Sequence, residues 1–256
     1  MRSIAMGMVL MVLLVALGVS PATAQGITKE QADQILKELS GIRQALERLA
    51  AVPVARPATP PVPSPPPNPA VRMPTVTGYS IGRSDAPITV VEFTDLQCSF
   101  CSRFHATSFP RIKAEYIDKG LVRFITRDFP LDMHQHAELA ARASLCAGEQ
   151  NHFWDVRTTL LTNSDKLTPA FITSTAEAAK LDMSVFRACV DSARAKEKVQ
   201  RDLAEGRGVG VEGTPTFIVG RTENQGVNGV RMVGAMPFEV FDAKFKELLA
   251  QVAPKK

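Results

Sequence analysis

Four cysteines and four histidines in 256 residues leave little material for a metal site. A structural zinc ion needs four ligands, usually from two Cys-x-x-Cys pairs or one such pair with a His-x-x-x-His. The chain has one Cys-x-x-Cys, Cys98–Cys101, while Cys146 and Cys189 stand alone. His134 and His136 are two residues apart at what reads as a helix start, so they face different ways. Zinc is therefore disfavoured. The chain also lacks a block of Lys and Arg, and its net charge is only +4, which gives nucleic acid no electrostatic footprint. Its N-terminal apolar stretch, Ile4–Gly18, is shorter than the roughly 20 residues a membrane-spanning helix needs, and Pro21 follows it.

What is present divides the chain into segments. Arg2, the apolar stretch and Ala22-Thr23-Ala24 have the order of a secretory signal cleaved after Ala24, so residues 1–24 are expected to be removed on export to a periplasm. The alternative is an uncleaved N-terminal segment acting as a membrane anchor. Residues 28–50 contain no proline, and Ala32, Ile35, Leu39, Ile42, Leu46 and Leu49 recur at alternating spacings of three and four. That predicts an amphipathic helix over 25–51, with Thr28 and Gln31 as a capping box. Its apolar seam suits a coiled coil between copies of the chain. It also suits a helix lying on its own domain or on a membrane. Residues 52–75 read as a linker, since Val52–Pro74 holds ten of the eighteen prolines, a density that gives an extended spacer. A folded domain is expected over 76–256, and a hydrophobic fraction of 45% is enough for a sizeable core.

Within that domain Ile88–Thr94 is a near-continuous apolar run, as in a strand buried on both faces, and it leads straight into Cys98-Ser99-Phe100-Cys101. A helix pattern follows over Arg103–Lys119, which Pro110 should kink or split. Cysteines at i and i+3 on a first helical turn can close a small disulfide ring. The first of them meets free backbone N–H groups and the positive end of the helix dipole, which favour a thiolate. Cys98 is the expected nucleophile and Cys101 the resolving thiol. Glu92 is an acid in the middle of the strand, where burial should raise its pKa and let it exchange a proton with a nearby thiol; the plainer alternative is a strand-end carboxylate reaching water. His105 reads as a structural or solvated helix histidine.

Leu121–Phe129 reads as the next strand. Helical pattern then runs from about 134 to 208, with segments at Ala137–Gly148, His152–Leu161, Thr168–Leu181 and Ser184–Ala204. Cys146 and Cys189 both lie there on apolar faces; they form either a structural disulfide or two buried thiols. Gly213-Thr214-Pro215-Thr216 places a proline at the start of another apolar strand, where a cis Thr214–Pro215 bond would expose the Thr214 backbone to an extended substrate. Asn228–Gly234 reads as the last strand and Phe238–Val252 as the terminal helix.

With these residues in place, the chain from about Thr77 to Val252 resembles the DsbA-like branch of the thioredoxin superfamily. The matching residues are Asp85-Ala86-Pro87, Glu92-Phe93, Cys98-Ser99-Phe100-Cys101, Arg127-Asp128-Phe129-Pro130 and Gly213-Thr214-Pro215-Thr216. Phe153-Trp154 and Cys189-Val190-Asp191-Ser192 also match. The resemblance implies an α/β thioredoxin fold interrupted by an all-helical insertion. It implies an exported thiol-disulfide oxidoreductase that works through a mixed disulfide, with the Cys98–Cys101 disulfide as its only redox group. Cys98 would attack, Cys101 resolve and Glu92 move a proton, while Ser99, Phe100, Thr214 and Pro215 would line the substrate groove. The implied partners are unfolded or misoxidised exported proteins and a membrane protein that reoxidises or reduces the pair.

The chain departs from the strongest oxidases of that group in having Ser99-Phe100 between the cysteines and Thr214 before the proline. Those two positions, and a helix able to oligomerise, lean toward an isomerase or reductase. Two other classes are weighed against an enzyme. Paired thiolates suit Cu(I), although no Met-rich or His-rich tract lies close by to complete such a site. A binding module using the same groove would need neither cysteine.

Overall fold

A computed structural model of the protein describes residues 28–51, 70–74, 76–224 and 226–252. The signal expected over 1–24 and the proline-dense residues 52–69 lie outside these. Two compact units are separated near Pro63. In the first, α1 (Lys29–Ala51) is the helix expected from the heptad spacing. Its capping box is formed: Gln31 N–H donates to Thr28 Oγ1 at 3.3 Å and Thr28 N–H to Gln31 Oε1 at 3.0 Å.

The second unit is built on a sheet of six strands: β1 (Ala70–Met73), β2 (Ser80–Ile81), β3 (Ile88–Thr94), β4 (Val122–Asp128), β5 (Thr216–Glu223) and β6 (Gly226–Val233), in spatial order β1-β6-β5-β3-β4-β2. Strands β3 and β4 are parallel and every other pair is antiparallel. Strand β1 corrects the expected linker boundary at residue 75. Ala70-Val71-Arg72-Met73 lies between Pro69 and Pro74, free of proline, and pairs with the open edge of β6. Met73 is buried in the core, so the folded domain begins earlier than residue 76.

All seven residues of β3 are buried, as its apolar run predicts. Successive side chains of a strand point to opposite faces. Ile88 and Val90 join a core with Phe104, Ile112, Phe241 and Phe245, whereas Val91 and Phe93 join one with Val199 and Leu203. Each large apolar side chain fully buried this way contributes about 1.5–3 kcal/mol. By the same alternation Glu92 faces the Phe104 side, beneath the helix that carries the cysteines.

That helix is α2 (Ser99–Thr107). The expected break at Pro110 occurs: α3 (Phe109–Ile112) starts a new turn with the proline in its first positions, and a wider turn follows over Lys113–Ile117. The insertion between β4 and β5 comprises α4 (Ala137–Gly148), α5 (Phe153–Thr162), α6 (Pro169–Ala178), α7 (Met183–Val190) and α8 (Ala193–Gly208). The pattern read as one helix over Ser184–Ala204 is two, because Ser192 caps a new N-terminus by accepting from Ala195 N–H. Helix α8 lies directly on the sheet: a Cβ on Gly206 would come within 3.0 Å of the ring of Phe93 on β3, and within 2.7 Å of the ring of Phe129 just after β4. Helix α9 (Phe238–Val252) is the last element among the described residues.

Candidate active site

Cys98 is the N-cap residue of α2, with extended backbone angles, and its carbonyl accepts the first helical hydrogen bond from Ser102 N–H at 3.1 Å. Its own N–H is held by the Asp95 carbonyl at 3.1 Å. The sulfur is nearly buried and lies 3.5 Å from the Thr214 carbonyl oxygen. The Cys98 pKa falls from 9.0 to about 5. The Cys101 thiol contributes most by donating to the thiolate, followed by Thr214 and the N–H groups of Cys101 and Phe100, all acting against burial. The Thr214 contribution comes from its side-chain hydroxyl, which is buried without a hydrogen-bond partner when Cys98 is a thiol.

Cys101 is fully buried one turn further along. Burial pushes its thiol well above the usual value, and the charges of Cys98 and Glu92 push the same way. The two thiols are unbonded, so the structure is that of the dithiol. An ionised outer sulfur beside a protonated inner one is the division a dithiol needs to attack first and resolve second.

Glu92 is completely buried. Its Oε1 sits 2.8 Å from His105 Nε2, and Thr126 Oγ1 donates weakly to Oε2 at 3.5 Å. The plain alternative of a strand-end carboxylate in water does not hold. His105 is i+4 from Cys101, on the same face of α2, and its side chain is 12% exposed. The sequence alone reads it as a structural or solvated helix histidine, whereas here it is the hydrogen-bond partner of Glu92. Spacing from Cys101, set against the parity of Glu92 on β3, was the signal that could have found it.

The segment before Cys98 has a second acid. Asp95 is buried and accepts from Gln97 N–H at 2.7 Å and Leu131 N–H at 2.8 Å, while its Oδ2 lies 2.7 Å from His134 Nδ1. Gln97 in turn accepts from His136 N–H. Both histidines tie the loop after β4 to the approach to Cys98, His134 through its ring and His136 through its backbone N–H.

Ser99 and Phe100 are exposed at the helix start, and Arg103 stacks on the Phe100 ring at 4.9 Å. The Thr214–Pro215 peptide is cis. Pro215 is buried, and its carbonyl accepts from Gly234 N–H at 2.8 Å. Cys146 and Cys189 are bonded to each other, with Cα atoms 5.7 Å apart, so the structure has the disulfide rather than two buried thiols. The bond ties α4 to α7, and both of its cysteines belong to the same apolar core cluster as Cys98 and Cys101.

Sequence reading also missed a buried ionic cluster that fastens the insertion to β4. Arg157, 1% exposed, donates to Asp128 Oδ1 at 2.6 Å and Thr126 Oγ1 at 2.8 Å. Asp202 receives Asp128 N–H and the Lys198 ammonium, and Arg127 pairs with Glu205 at 2.7 Å. A groove of about 580 Å³ between α5 and α6, lined by His152, Asp155, Val156 and Phe171 among others, touches none of the site residues. Among the described residues, no group of three or more His, Cys, Asp and Glu is placed to hold a metal ion.

The family model described as thioredoxin matches residues 74–231. The chain is 32% identical over 161 residues to "Na(+)/H(+) antiporter NhaA 3" of Salinispora tropica, a match covering 62% of this chain and 24% of that protein. It is 32% identical over 152 residues to "Probable disulfide bond formation protein D" of Bacillus anthracis, covering 56% of this chain and 70% of that one. Among solved structures, alpha-DsbA1 of Wolbachia pipientis is 25% identical with a TM-score of 0.61, covering 67% of this chain and 90% of the other. The chain spans only about a quarter of the antiporter's length, and the family match over residues 74–231 takes in the cysteine-bearing domain. That domain carries the Cys98–Cys101 helix, the Thr214–Pro215 turn and the helical insertion on one sheet, and with it the chain belongs to the thioredoxin family, in its DsbA-like branch.

Proposed function

We propose that the protein is an exported thiol-disulfide oxidoreductase that acts on cysteines of unfolded or misoxidised proteins. The observation that carries this reading is the pairing of Cys98, with a pKa near 5, and the buried Cys101, with a raised one. In one direction the Cys98 thiolate attacks a substrate disulfide, forms a mixed disulfide and releases one substrate thiolate. Cys101 then loses its proton to Glu92 and attacks the Cys98 sulfur. The second substrate thiolate leaves, and two electrons have passed to the substrate. In the reverse direction a substrate thiolate attacks Cys98 of the Cys98–Cys101 disulfide, Cys101 takes its proton back, and a second substrate thiol completes the transfer.

Ser99 and Phe100 offer exposed contacts beside the attacking sulfur, and the Thr214 backbone next to Pro215 offers a site for an extended substrate. A separate membrane redox protein would reset the pair. Export rests on residues 1–24, and no helix among the described residues is long and apolar enough to cross a membrane. The N-terminal helix is read as an oligomerisation element. Ile35, Leu39, Ile42 and Leu46 are between 47% and 61% exposed along one seam, an apolar stripe that a second copy would cover.

The test is refolding of a scrambled, disulfide-containing substrate by the mature protein. Activity lost in Cys98→Ser, with mixed disulfides trapped in Cys101→Ser, supports the reading. Full activity in Cys98→Ser removes it.

A further inference from the structure

We infer that His105 is the outlet through which the proton of Cys101 passes between Glu92 and solvent, which makes it a positioning and relay residue for the resolving step. The inference rests on the proposed oxidoreductase reading and adds a residue that reading does not require.

Cys101 must lose a proton each time it resolves a mixed disulfide and regain one each time it leaves. It is fully buried, so water does not reach its sulfur directly. Glu92, whose charge reaches the thiol, is itself 0% exposed. A carboxylate sealed on all sides can take one proton and then has nowhere to deliver it. Its hydrogen bonds show the way out. Oε2 faces Thr126 Oγ1 at 3.5 Å, and that hydroxyl already receives the buried Arg157 guanidinium. This direction ends in a permanent cation inside the protein and cannot carry a proton to water. Oε1 faces His105 Nε2 at 2.8 Å, and the imidazole is the one partner of Glu92 that is both titratable and partly exposed.

Among the described residues, Glu92 is the one hydrogen-bond partner of the His105 side chain. Phe104 on α2, Phe109 on α3 and Phe124 on β4 pack around the ring with centroids 4.7–6.4 Å away. The titratable group in contact with it is Glu92 from β3; Cys101 lies one turn earlier on its own helix, and Arg157 one hydrogen bond beyond Thr126. The sequence of transfers balances. The Cys101 thiol gives its proton to Glu92, and the Cys101 sulfur forms its bond to the Cys98 sulfur while the Cys98–substrate bond breaks toward the substrate sulfur. Protonated Glu92 then passes the proton to Nε2, and Nδ1 releases one to water. The steps reverse when Cys101 is the leaving group. An imidazole ionises near neutral pH, so it can accept and release a proton without a large barrier in either direction.

The experiment uses the full mature chain and stopped-flow kinetics over about pH 5 to 9. Release of a thiol reporter from the Cys98 mixed disulfide reads resolution by Cys101, and alkylation of Cys98 reads the first step separately. His105→Gln keeps a hydrogen bond to Glu92 but cannot relay. The inference expects its resolution rate to fall about tenfold or more near neutral pH, within the range of general acid–base effects. The loss should shrink as pH rises and hydroxide takes the proton. His105→Ala, which leaves a space the size of the ring, should regain rate with added imidazole, and Cys98 alkylation should be unchanged in both variants. A wild-type resolution profile in His105→Gln overturns the inference, as does a loss that is equal at every pH and unaffected by imidazole in His105→Ala. If wild-type protein shows no resolution by Cys101 at all, the oxidoreductase reading has failed rather than the relay.

Discussion

The sulfur of Cys98 lies 3.5 Å from the carbonyl oxygen of Thr214, a residue 116 positions later in the chain. The two are brought together because β3 and β5 are neighbours in the sheet, with Phe93 opposite Thr216. The site is thus assembled at the end of one strand and the start of another, and its chemistry depends on both.

Ionisation of Cys98 should be visible directly. Thiolate absorbance and alkylation rate of the reduced protein are expected to titrate with a midpoint near pH 5, and Cys101→Ala, which has no donor to replace the thiol, should raise that midpoint by removing the largest stabilising donor. The sign for stability follows from the depressed value. Cys98 contributes to the folded dithiol fully above about pH 9, where the unfolded thiol is also ionised, and loses that contribution as pH falls toward 5. Denaturant titrations of reduced wild type and Cys98→Ser should therefore diverge across that window. Parallel curves contradict the assignment.

Thr214→Val tests the second donor. One hydrogen bond to a charged group is worth about 1.5–3 kcal/mol, and 1.4 kcal/mol is about one pKa unit. The variant is expected to raise the Cys98 midpoint by about one unit with little change in thermal stability. An unchanged midpoint would mean that the hydroxyl does not turn toward the thiolate.

The Cys146–Cys189 bond closes a loop of 43 residues inside the insertion. Loop-closure entropy for that length corresponds to about 4 kcal/mol. The double variant Cys146→Ala/Cys189→Ala should lose stability of that order while keeping Cys98 reactivity. Equal unfolding midpoints for the variant and wild type contradict a structural role.

The buried Arg157–Asp128 pair joins the insertion to β4. Arg157→Met leaves Asp128 buried with its main partner gone, and loss of one member of such a pair costs about 3–5 kcal/mol. Burial and the Asp128 charge hold Asp202 above the usual carboxylate range. Ionised Asp202 therefore costs folded-state stability at higher pH, and the cost disappears as pH falls through its raised value. Asp202→Asn should flatten the stability profile on the side above the ordinary aspartate value of about 4. A profile with the wild-type slope would mean that another group governs it.

The apolar seam of α1 predicts self-association. Leu39→Asp, which places a charge at the centre of the stripe, should lower the molecular mass measured by sedimentation equilibrium to that of one chain. If wild type already sediments as a monomer, the helix has some other partner.

Much of this was legible in the chain. Ile88–Thr94 reads as a doubly buried strand because it is continuously apolar, and Cys98–Cys101 reads as a redox pair because strand, cysteines and helix follow one another. Local patterns of this kind also carried the capping box of α1 and the break at Pro110. What could not be read was set by tertiary pairing. Ala70–Met73 is too short to declare itself as a strand beside so many prolines, and only the open edge of β6 makes it one. His105 looks ordinary until Glu92, thirteen residues earlier, is placed on the face beneath it. Arg157 and Asp202 look like surface residues of amphipathic helices, yet they are buried because the helices close over the end of β4.

The most direct test of the account is the reduction potential of the Cys98–Cys101 pair, measured by equilibration with glutathione in protein whose Cys146 and Cys189 are changed to alanine. A thiolate stabilised to a pKa near 5 favours the dithiol. The account predicts a potential clearly more oxidising than thioredoxin's, above roughly −230 mV and toward the approximately −120 mV of the strongest oxidases. A value at or below about −270 mV, or no exchange at all, would contradict it.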